Sequence, residues 1–544
     1  MKNLIFFITL LILSSGNLFS QISLKSNSFS TGITWQETFG DTGVDKATCM
    51  IKTSENGFAV AGYTYSYGSG NVGICILNLK QDGSYRWGKL LNSGRGDIAN
   101  SLIQTSDSGF ILAGATNSHG LDFFEDMYLV KLDSKGELQW AKTFGTNGWD
   151  NAYTITQTSD NGYIVTGYSR ISSSEYGLLI VKFSETGDIE WSKLAEKVSN
   201  GLVTSSLIQT TDDGYGIAGT LYTVSDNSDI CFMKLNSTGM LQWSWLIGGS
   251  NDEQPFSICR TGDNGYAIAG FTNTFGAGYP DLYIVKLAIT GTIQWTRTIG
   301  GDNDDYALSI MNAPDGGFII GGESFTFGAG WIDMYLVKLD NNGRYIWGKT
   351  IGSSEMDFIR SVVYDNDNGF VAVGNTEAYN SGYSDMYIVK TDPLGNACGN
   401  TTTPVPHIDS GGTINKYPVN IYDIPTSLLS VNTNITDWGN ITNLCFTGLS
   451  SNSGELPLFF SLHQNHPNPF NPVTKIEFDI PNQSNAKIII YDLLGREVTT
   501  LVNEQLKPGS YSVDWDGMGF ASGVYFYSLV TNDFVETKRM VLVK

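Results

Sequence analysis

The chain has 544 residues, and its 32 Lys and Arg against 54 Asp and Glu give a net charge of −22. Hydrophobic residues make up 41% of the chain and charged residues only 16%, while there are 62 glycines. This composition favours an all-β protein of short strands and tight turns, and the length predicts more than one domain. The acidic balance argues against unaided binding of nucleic acid or of an anionic membrane, because no basic stripe offsets it.

The first residues have the pattern of a secretory signal peptide. Lys2 precedes an apolar run from Leu4 to Leu13, which is too short to span a bilayer and is followed by small and polar residues. We expect a signal peptide over 1–20, with cleavage before Gln21. No Cys lies near that position, which disfavours a lipid anchor. The mature chain is therefore predicted to be exported and to lack a transmembrane segment.

A repeat of 51 to 53 residues fills the region 31–399. Each unit also contains a turn close to T-x-D-x-G-[FY], so two independent marks keep the same step. Seven units are present. The tryptophans that mark them are Trp35, Trp87, Trp140, Trp191, Trp243, Trp295 and Trp347.

Each unit predicts four antiparallel strands, written in one unit as YALSIMN, GFIIGGES, DMYLVKLD and RYIWGKTI. Asp-Gly and Asn-Gly turns separate the first and the last pair, and no helical period is present. Four strands in about 50 residues, repeated radially, indicate a β-propeller, here with seven blades. The first strand-like segment, Gly32–Phe39, has no strands before it, and the last unit lacks its fourth strand. We therefore expect the N-terminal strand to close the last blade.

The repeated tryptophans are predicted to pack between blades, as large rings do in a layered core. The unit as a whole resembles the seven-bladed β-propeller repeats found in many exported bacterial proteins. That resemblance covers most of 31–399 and implies a fold without implying an activity.

Six cysteines are present. Four of them, Cys49, Cys75, Cys231 and Cys259, lie in strand-like apolar segments, where we expect free thiols that act as small hydrophobic side chains. Cys398 and Cys445 flank an irregular stretch, and whether they form a disulfide is left open.

Residues 400–456, rich in Thr, Ser, Asn and Pro, are expected to form a semi-extended linker. The region 457–544 alternates apolar and polar residues in short strands and predicts a small Ig-like β-sandwich. It resembles the C-terminal sorting domain of type IX secretion cargo in the Bacteroidetes, through HPNPFNP at 466–472, IYDLLGR at 490–496, WDG at 515–517, SGVYFY at 522–527 and KRM at 538–540. The residues that carry the resemblance are Pro467, Asn468, Pro469, Phe470, Asn471, Pro472, Gly495, Arg496, Gly523 and Lys538.

The resemblance implies export to the periplasm and recognition of this domain by the outer-membrane secretion machinery. It further implies removal of the domain by a sorting peptidase. The remainder would be released or attached to the cell surface, so an extracellular or outer-membrane surface location is expected.

Two series of acids recur in links that a propeller places on one face. The first precedes strand one of a unit and the second opens strand three, and regular recurrence favours carboxylates that bond backbone N–H groups at turns. Gly201 interrupts the first series, and Gly73 and Gly177 interrupt the second. The members are Asp45, Asp97, Asp150, Glu253, Asp305 and Asp357 in the first, and Asp126, Asp229, Asp281, Asp333 and Asp385 in the second.

Aromatic residues near these acids indicate a second role, because aromatic faces beside carboxylates suit sugars. The aromatic residues of these links are Tyr65, Tyr67, Phe123, Phe124, Phe275, Tyr279, Phe325, Phe327, Trp331, Tyr379 and Tyr383. The candidate ligand face consists of Phe275, Tyr279, Phe325, Phe327, Trp331, Asp305 and Asp357. The alternative is a structural role, in which the same aromatic rings pack between neighbouring loops.

No cofactor is expected, although Asp302, Asp304 and Asp305 form a dense oxygen cluster that is a weak candidate for Ca²⁺. The four histidines, three of them outside the repeats, form no Ser-His-Asp or zinc pattern. The sequence thus favours a non-catalytic binding or scaffold protein of the cell surface, with glycans ahead of proteins as ligand. The alternative is a polysaccharide-active hydrolase or lyase that uses carboxylates near the axis.

Overall fold

The computed structural model describes residues 34–543, apart from short segments, and is entirely of β type, with 64% of residues in strands and no helix. The predicted signal peptide at 1–20 lies outside the described residues. No helix of the described part is long and apolar enough to cross a membrane. Between 414 and 459 only the backbone of the strands is described. The segments not described are 1–33, 41–42, 67–70, 93, 119–123, 147, 171–175, 199–201, 223–226, 379–382, 400, 417–420, 424–426, 431–433, 438–440, 448–449, 453–459, 482, 507, 518–519, 532–533 and 544.

The repeats form strands β1 to β28, which begin with β1 (Thr34–Phe39). The first three units contain β2 (Asp45–Lys52), β3 (Phe58–Thr64), β4 (Gly73–Leu79), β5 (Tyr85–Asn92), β6 (Asp97–Gln104), β7 (Phe110–Thr116), β8 (Asp126–Leu132), β9 (Leu138–Gly145), β10 (Asp150–Gln157), β11 (Tyr163–Arg170), β12 (Tyr176–Phe183) and β13 (Ile189–Val198). The others contain β14 (Leu202–Gln209), β15 (Tyr215–Tyr222), β16 (Ser228–Leu235), β17 (Leu241–Gly248), β18 (Glu253–Arg260), β19 (Tyr266–Thr272), β20 (Asp281–Leu287), β21 (Ile293–Gly300), β22 (Asp305–Asn312), β23 (Phe318–Ser324), β24 (Asp333–Leu339), β25 (Tyr345–Ile351), β26 (Asp357–Tyr364), β27 (Phe370–Thr376) and β28 (Asp385–Thr391).

These strands form antiparallel sheets in chain order, each with the four strands of one unit, as in propeller blades. The N-terminal strand β1 pairs with β28 and so supplies the fourth strand of the last sheet, as the sequence predicted. The first strands of successive sheets contact one another in a cycle, from β2 through β6, β10, β14, β18, β22 and β26 back to β2. We refer to these sheets together as the sheet ring.

The repeated tryptophans pack across the junctions between sheets. Trp35 of β1 is fully buried and lies against Phe58 of the first unit, with ring centroids 6.3 Å apart. The turn before the fourth strand holds a glycine of positive φ beneath each tryptophan; at Gly343, with φ +73°, a Cβ would lie 2.7 Å from Trp295. Only a residue without a side chain fits there, because both the backbone conformation and the ring exclude a Cβ.

The T-x-D-x-G turns are fastened by a buried lysine. Asp107 accepts hydrogen bonds from Gly109 N at 3.0 Å and from Lys131 Nζ at 2.9 Å, while Lys131 also donates to the carbonyl of Leu132. The same ion pair recurs in Lys182–Asp160, Lys234–Asp212, Lys286–Asp263, Lys338–Asp315 and Lys390–Asp367. The residues that recur in this turn therefore hold its structure together.

The segment predicted to be a linker instead pairs with the sheet ring. Its strands are β29 (Thr401–Thr402), β30 (His407–Asp409), β31 (Thr413–Lys416), β32 (Ile421–Asp423), β33 (Ser427–Ser430), β34 (Asn434–Asp437) and β35 (Ile441–Thr447), which we call the belt. In that order they pair with β25, β21, β17, β13, β9, β5 and β1. The belt thus passes the sheets in reverse chain order and adds a fifth strand to each. The sequence predicted a semi-extended linker over 400–456 and did not predict this pairing. An edge strand offers free N–H and C=O groups, with which a polar segment can pair without an apolar pattern.

The predicted thiols Cys49, Cys75, Cys231 and Cys259 are free, and Cys398 is disulfide-bonded. The side chain of Cys445 lies outside the described residues, but its backbone pairs with Gln36 of β1. The Gln36 amide donates a hydrogen bond to the carbonyl of Cys398. Cys398, just before the belt, and Cys445, in its last strand, therefore both lie next to β1.

The C-terminal region has β36 (Ser450–Asn452), β37 (Ser461–Leu462), β38 (Val473–Ile480), β39 (Ser484–Tyr491), β40 (Glu497–Leu506), β41 (Gly509–Asp516), β42 (Gly523–Val530) and β43 (Val535–Leu542). They form two four-stranded antiparallel sheets, ordered β36-β41-β38-β37 and β40-β39-β42-β43. One hydrophobic core, which includes Ile488, Trp515 and Tyr527, draws residues from both sheets.

Candidate ligand-binding cavity

The repeated acids pair across the junctions between neighbouring sheets. An acid that opens strand three and the acid that opens strand one of the next sheet both face the glycine that ends strand four: a Cβ at Gly300 would lie 1.8 Å from Asp281 Oδ1 and 2.9 Å from Asp305 Oδ2. Equivalent pairs are Asp385 with Asp45, Asp126 with Asp150, Asp229 with Glu253, and Asp333 with Asp357.

These carboxylates are buried and bonded to turns, as the structural interpretation of the sequence expects. Asp305 accepts hydrogen bonds from Gly301 N and Thr326 Oγ1, both at 2.9 Å, and Asp357 accepts one from Ser353 N at 2.6 Å. Burial raises the pKa of Asp305 to about 7 and that of Asp281 to about 6. Neither Asp305 nor Asp357 exposes its side chain, so these two members of the predicted ligand face do not reach solvent.

The aromatic members of the predicted face divide into two groups. Phe275 packs on Tyr283 and Phe327 packs on Tyr335, with centroids 6.0 and 5.8 Å apart, so both belong to the core between sheets. Three others are exposed: Trp331 by 76%, Tyr279 by 62% and Phe325 by 40%. Among the remaining link aromatics Tyr65, Phe124 and Tyr383 are also exposed, whereas Tyr67, Phe123 and Tyr379 lie outside the described residues.

The predicted oxygen cluster at 302–305 does not converge. Asp304 accepts a hydrogen bond from the Tyr306 hydroxyl at 2.8 Å, while Asp305 points to Gly301 and Thr326. Within the described part of the chain, no three His, Cys, Asp or Glu side chains come together in a way that could hold a metal ion. Asp302, Asp304 and Asp305 therefore do not form a metal-binding group by themselves.

A feature that the sequence analysis missed is a β-bulge at the same place in every first strand. In β2 the pairing with β3 shifts between Ala47 and Cys49, which leaves Thr48 as the extra residue. The equivalent extra residues are Asn100, Tyr153, Ser205, Phe256, Leu308 and Arg360. A bulge turns one side chain away from the alternation of its strand.

The bulged residues line a common cavity of about 490 Å³. Thr48, Asn100, Tyr153, Phe256, Leu308 and Arg360 form its wall, together with Thr220, Tyr222, Gln254 and Pro255. Because the first strands contact each other in a cycle, the cavity lies along the inner strands of the sheet ring. Its volume lies in the range of small-molecule sites.

The wall of the cavity is chemically asymmetric. Arg360, Thr48 and Asn100 come from consecutive sheets of the cycle and form a polar arc. Phe256, Leu308 and Tyr153 are aromatic or apolar and come from the other sheets. A symmetric repeat thus provides an asymmetric cavity, because the bulged position varies while its neighbours recur. That variation was the signal in the sequence that could have revealed the site.

Arg360 is held from one side only. Its Nη1 donates to Glu323 Oε1 at 2.9 Å and lies 3.4 Å from the carbonyl of Ile359, and in the described residues Nε and Nη2 have no hydrogen-bond partner. Burial raises the pKa of Glu323, while Arg360 and Lys46 act in the opposite direction. An ion pair between Arg360 and Glu323 therefore lies at the polar arc.

A chain of aromatic contacts connects the cavity with the predicted face. Phe256 lies 6.0 Å from Phe271, Phe271 lies 5.3 Å from Tyr306, and Tyr306 lies 6.1 Å from the exposed Phe325, measured between ring centroids. The cavity and the exposed Phe325 are thus linked by ring contacts that pass through the buried Phe271.

At the C-terminus the motif residues mostly hold the two sheets together. Phe470 is buried against Trp515, and its backbone pairs with Val541 and Val543 near the end of the chain. Asn468 accepts a hydrogen bond from Val541 N and donates one to the carbonyl of Arg539. The carbonyls of Pro467 and Pro472 accept hydrogen bonds from Thr474 and Gly517, and Gly523 begins β42. Arg496 forms an ion pair with Asp492, and Lys538 forms one with Glu536. Gly495 has φ +75° in an exposed turn, and Pro469 and Asn471 are exposed.

Comparison with protein families assigns this region. Residues 465–544 match the family described as the secretion system C-terminal sorting domain. The predicted resemblance to type IX cargo is confirmed, and the sorting domain implies interaction with the type IX secretion system and export to the cell surface or extracellular space.

Other similar proteins were also found. The regulatory protein FlaEY of Caulobacter vibrioides is 23% identical over 180 residues, and the match covers 28% of this chain and 19% of FlaEY. PorZ of Porphyromonas gingivalis, an essential surface component of the type IX secretion system, matches 93% of this chain and 60% of its own, with 12% identity and a TM-score of 0.38. Sqt1 of Chaetomium thermophilum matches 66% of this chain and 86% of its own, with 12% identity and a TM-score of 0.35.

Proposed function

We propose that the chain is a seven-bladed β-propeller with an Ig-like sorting domain, and that it works at the cell surface as a non-catalytic binding protein for a saccharide. The observation that carries the proposal is the cavity formed by the bulged residues. Its wall varies from sheet to sheet, whereas the tryptophans, glycines, lysines and acids that hold the sheets together recur.

The chemistry of the wall favours a saccharide. Tyr153, Tyr222 and Phe256 offer aromatic rings for the C–H side of a pyranose. The Thr48 hydroxyl donates to the carbonyl of Ala99 and the Asn100 amide donates to Asn151, so Thr48 Oγ1 and Asn100 Oδ1 serve as acceptors for sugar hydroxyls. Outside the cavity, Phe325, Trp331 and Tyr279 are exposed rings on which a longer glycan can stack.

The alternative of a hydrolase or lyase needs accessible carboxylates. The repeated acids are buried and occupied by turn amides and hydroxyls, which favours a structural role. Glu323, the acid at the polar arc, is engaged by Arg360. A binding role therefore has more support than a catalytic one.

The test is a glycan array and a thermal-shift screen of the chain from Gln21, with Ca²⁺ and with EDTA. We expect selective, saturable binding that Phe256→Ala weakens at least tenfold, because a stacked ring contributes about 1 kcal/mol or more beyond its area. Trp331→Ala reports on the exposed surface, and Ile346→Ala, an exposed side chain of β25, is the matched control. Binding that survives both Phe256→Ala and Trp331→Ala, or product formation from any polysaccharide, would contradict the proposal.

A further inference from the structure

The polar arc of the cavity contains a cation, although the chain as a whole has a net charge of −22. Arg360 is the one Lys, Arg, Asp or Glu among the residues that line the described cavity. Its partner Glu323 is not among the lining residues. The guanidinium is therefore the charged group that a ligand in the cavity would meet.

The geometry of Arg360 leaves its recognition edge available. Glu323 binds Nη1, so Nε and Nη2, which have no hydrogen-bond partner in the described part of the chain, can form two parallel hydrogen bonds to one anionic group. A planar guanidinium suits a carboxylate or a sulfate in this bidentate way, and such charge-assisted bonds are among the stronger ones. The side chain is 40% exposed, so the cavity reaches it.

We propose that the ligand is an anionic saccharide, whose acidic group binds Arg360 while its ring lies on the aromatic side of the wall. This inference rests on the proposed function and names its ligand class. The acidic surface elsewhere repels anions in general, so binding depends on the fit to this cavity rather than on long-range attraction.

The test measures affinity by calorimetry for matched oligosaccharides that are neutral, uronate-bearing or sulfated. We expect the wild-type chain to prefer an anionic member, and Arg360→Gln to weaken that member by about 10- to 100-fold, the worth of a charge-assisted hydrogen bond. The same variant should weaken a neutral oligosaccharide much less, because a hydroxyl loses only a neutral hydrogen bond there. The uronate and sulfate arms identify which acidic group the cavity takes.

Two more variants keep the inference testable if Arg360→Gln folds poorly. Arg360→Lys keeps the charge but removes the planar fork, so we expect intermediate affinity. Glu323→Gln removes the competing carboxylate and should strengthen binding of the anionic saccharide. Arg297→Gln is the matched control, because Arg297 lies over Trp295 and bonds the carbonyl of Gly343, away from the cavity wall.

The failures are distinguishable. If neutral and anionic oligosaccharides bind equally, or if Arg360→Gln and Arg297→Gln have the same effect, the anionic class is wrong and the saccharide proposal stands. If no saccharide of any class binds, the proposed function itself is wrong.

Discussion

Replacing a repeated acid with its amide should stabilise this protein at neutral pH. Asp281 is 1% exposed, its Oδ2 accepts a hydrogen bond from Ala277 N at 2.6 Å, and its Oδ1 has no hydrogen-bond partner in the described residues. That free oxygen and Asp305 Oδ2 face the same glycine, Gly300. In Asp281→Asn an amide N–H replaces the free oxygen and can donate to Asp305, while the other oxygen keeps its bond to Ala277.

The magnitude follows from the pKa. Burial raises the pKa of Asp281 from 3.8 to about 6, and His407 of the belt acts weakly in the opposite direction. Since each pKa unit is worth about 1.4 kcal/mol, the charged form costs about 3 kcal/mol of stability above pH 6. A raised pKa in the folded state means that this stability is present below pH 4 and is lost as the pH rises through about 6. Tyr306 and Tyr335 also face Asp305, but they titrate at much higher pH.

The assay is the free energy of chemical unfolding of the sheet ring between pH 4 and pH 8. We expect Asp281→Asn to gain up to about 3 kcal/mol at pH 8 and little at pH 4. Asp97→Asn is the matched control, because the unit before Asp97 has Gly73 where other units have the second acid. An equal gain at both pH values, or the same gain in Asp97→Asn, would refute the argument from the raised pKa of Asp281.

Three further predictions concern the scaffold. Gly343→Ala should cost about 1–3 kcal/mol, because it combines positive φ with contact to a repeated tryptophan, whereas Gly262→Ala, with nothing within 4 Å of the added Cβ, should be neutral in thermal unfolding. Peptide mapping without reductant should recover Cys398 joined to Cys445. Cys398→Ser should lower the thermal midpoint, because a disulfide that closes a loop of about 48 residues contributes about 4 kcal/mol to the free energy of unfolding. Recovery of both cysteines as free thiols would contradict this. At Asp107 burial acts to raise the pKa, but hydrogen bonds from a threonine, a lysine and a backbone amide lower it to about 2. The stability that this turn contributes should therefore be lost as the pH falls from about 4 to 2. Chemical unfolding of an Asp107→Asn chain should show a smaller loss over that range.

The strands of the sheet ring were predictable because their marks are local. A tryptophan, a tight turn and a run of apolar residues recur at a fixed step, and each has a steric reason that the structure shows at Trp35, Gly343 and Asp107. One detail differs. Counting from the tryptophans assigns Gly201 to the place of an acid in unit four, whereas strand pairing puts Leu202 opposite Leu221, as Asp150 lies opposite Ser169. Unit four has one more residue before its first strand.

The belt was not predictable in the same way. Its strands are two to seven residues long, and they pair through backbone groups with partners that lie up to several hundred residues earlier in the chain. An outer strand needs no alternation of apolar residues, because it has no second sheet to pack against. Composition alone therefore indicates a linker, although the order of pairing, from β25 back to β1, is as regular as the repeat itself.

The cavity was missed for the opposite reason, since its residues are the ones that do not recur. A search for repetition directs attention to Asp305 and Asp357, which the structure uses at turns, and away from Arg360 and Phe256. In a ring of repeats, a residue needed at every junction must recur, whereas a ligand that lacks the symmetry of the ring must be bound by residues that differ. The bulge allows recurring and varying residues in the same strand. The backbone of each first strand repeats, and the side chain of the extra residue can vary without disturbing the junctions between sheets.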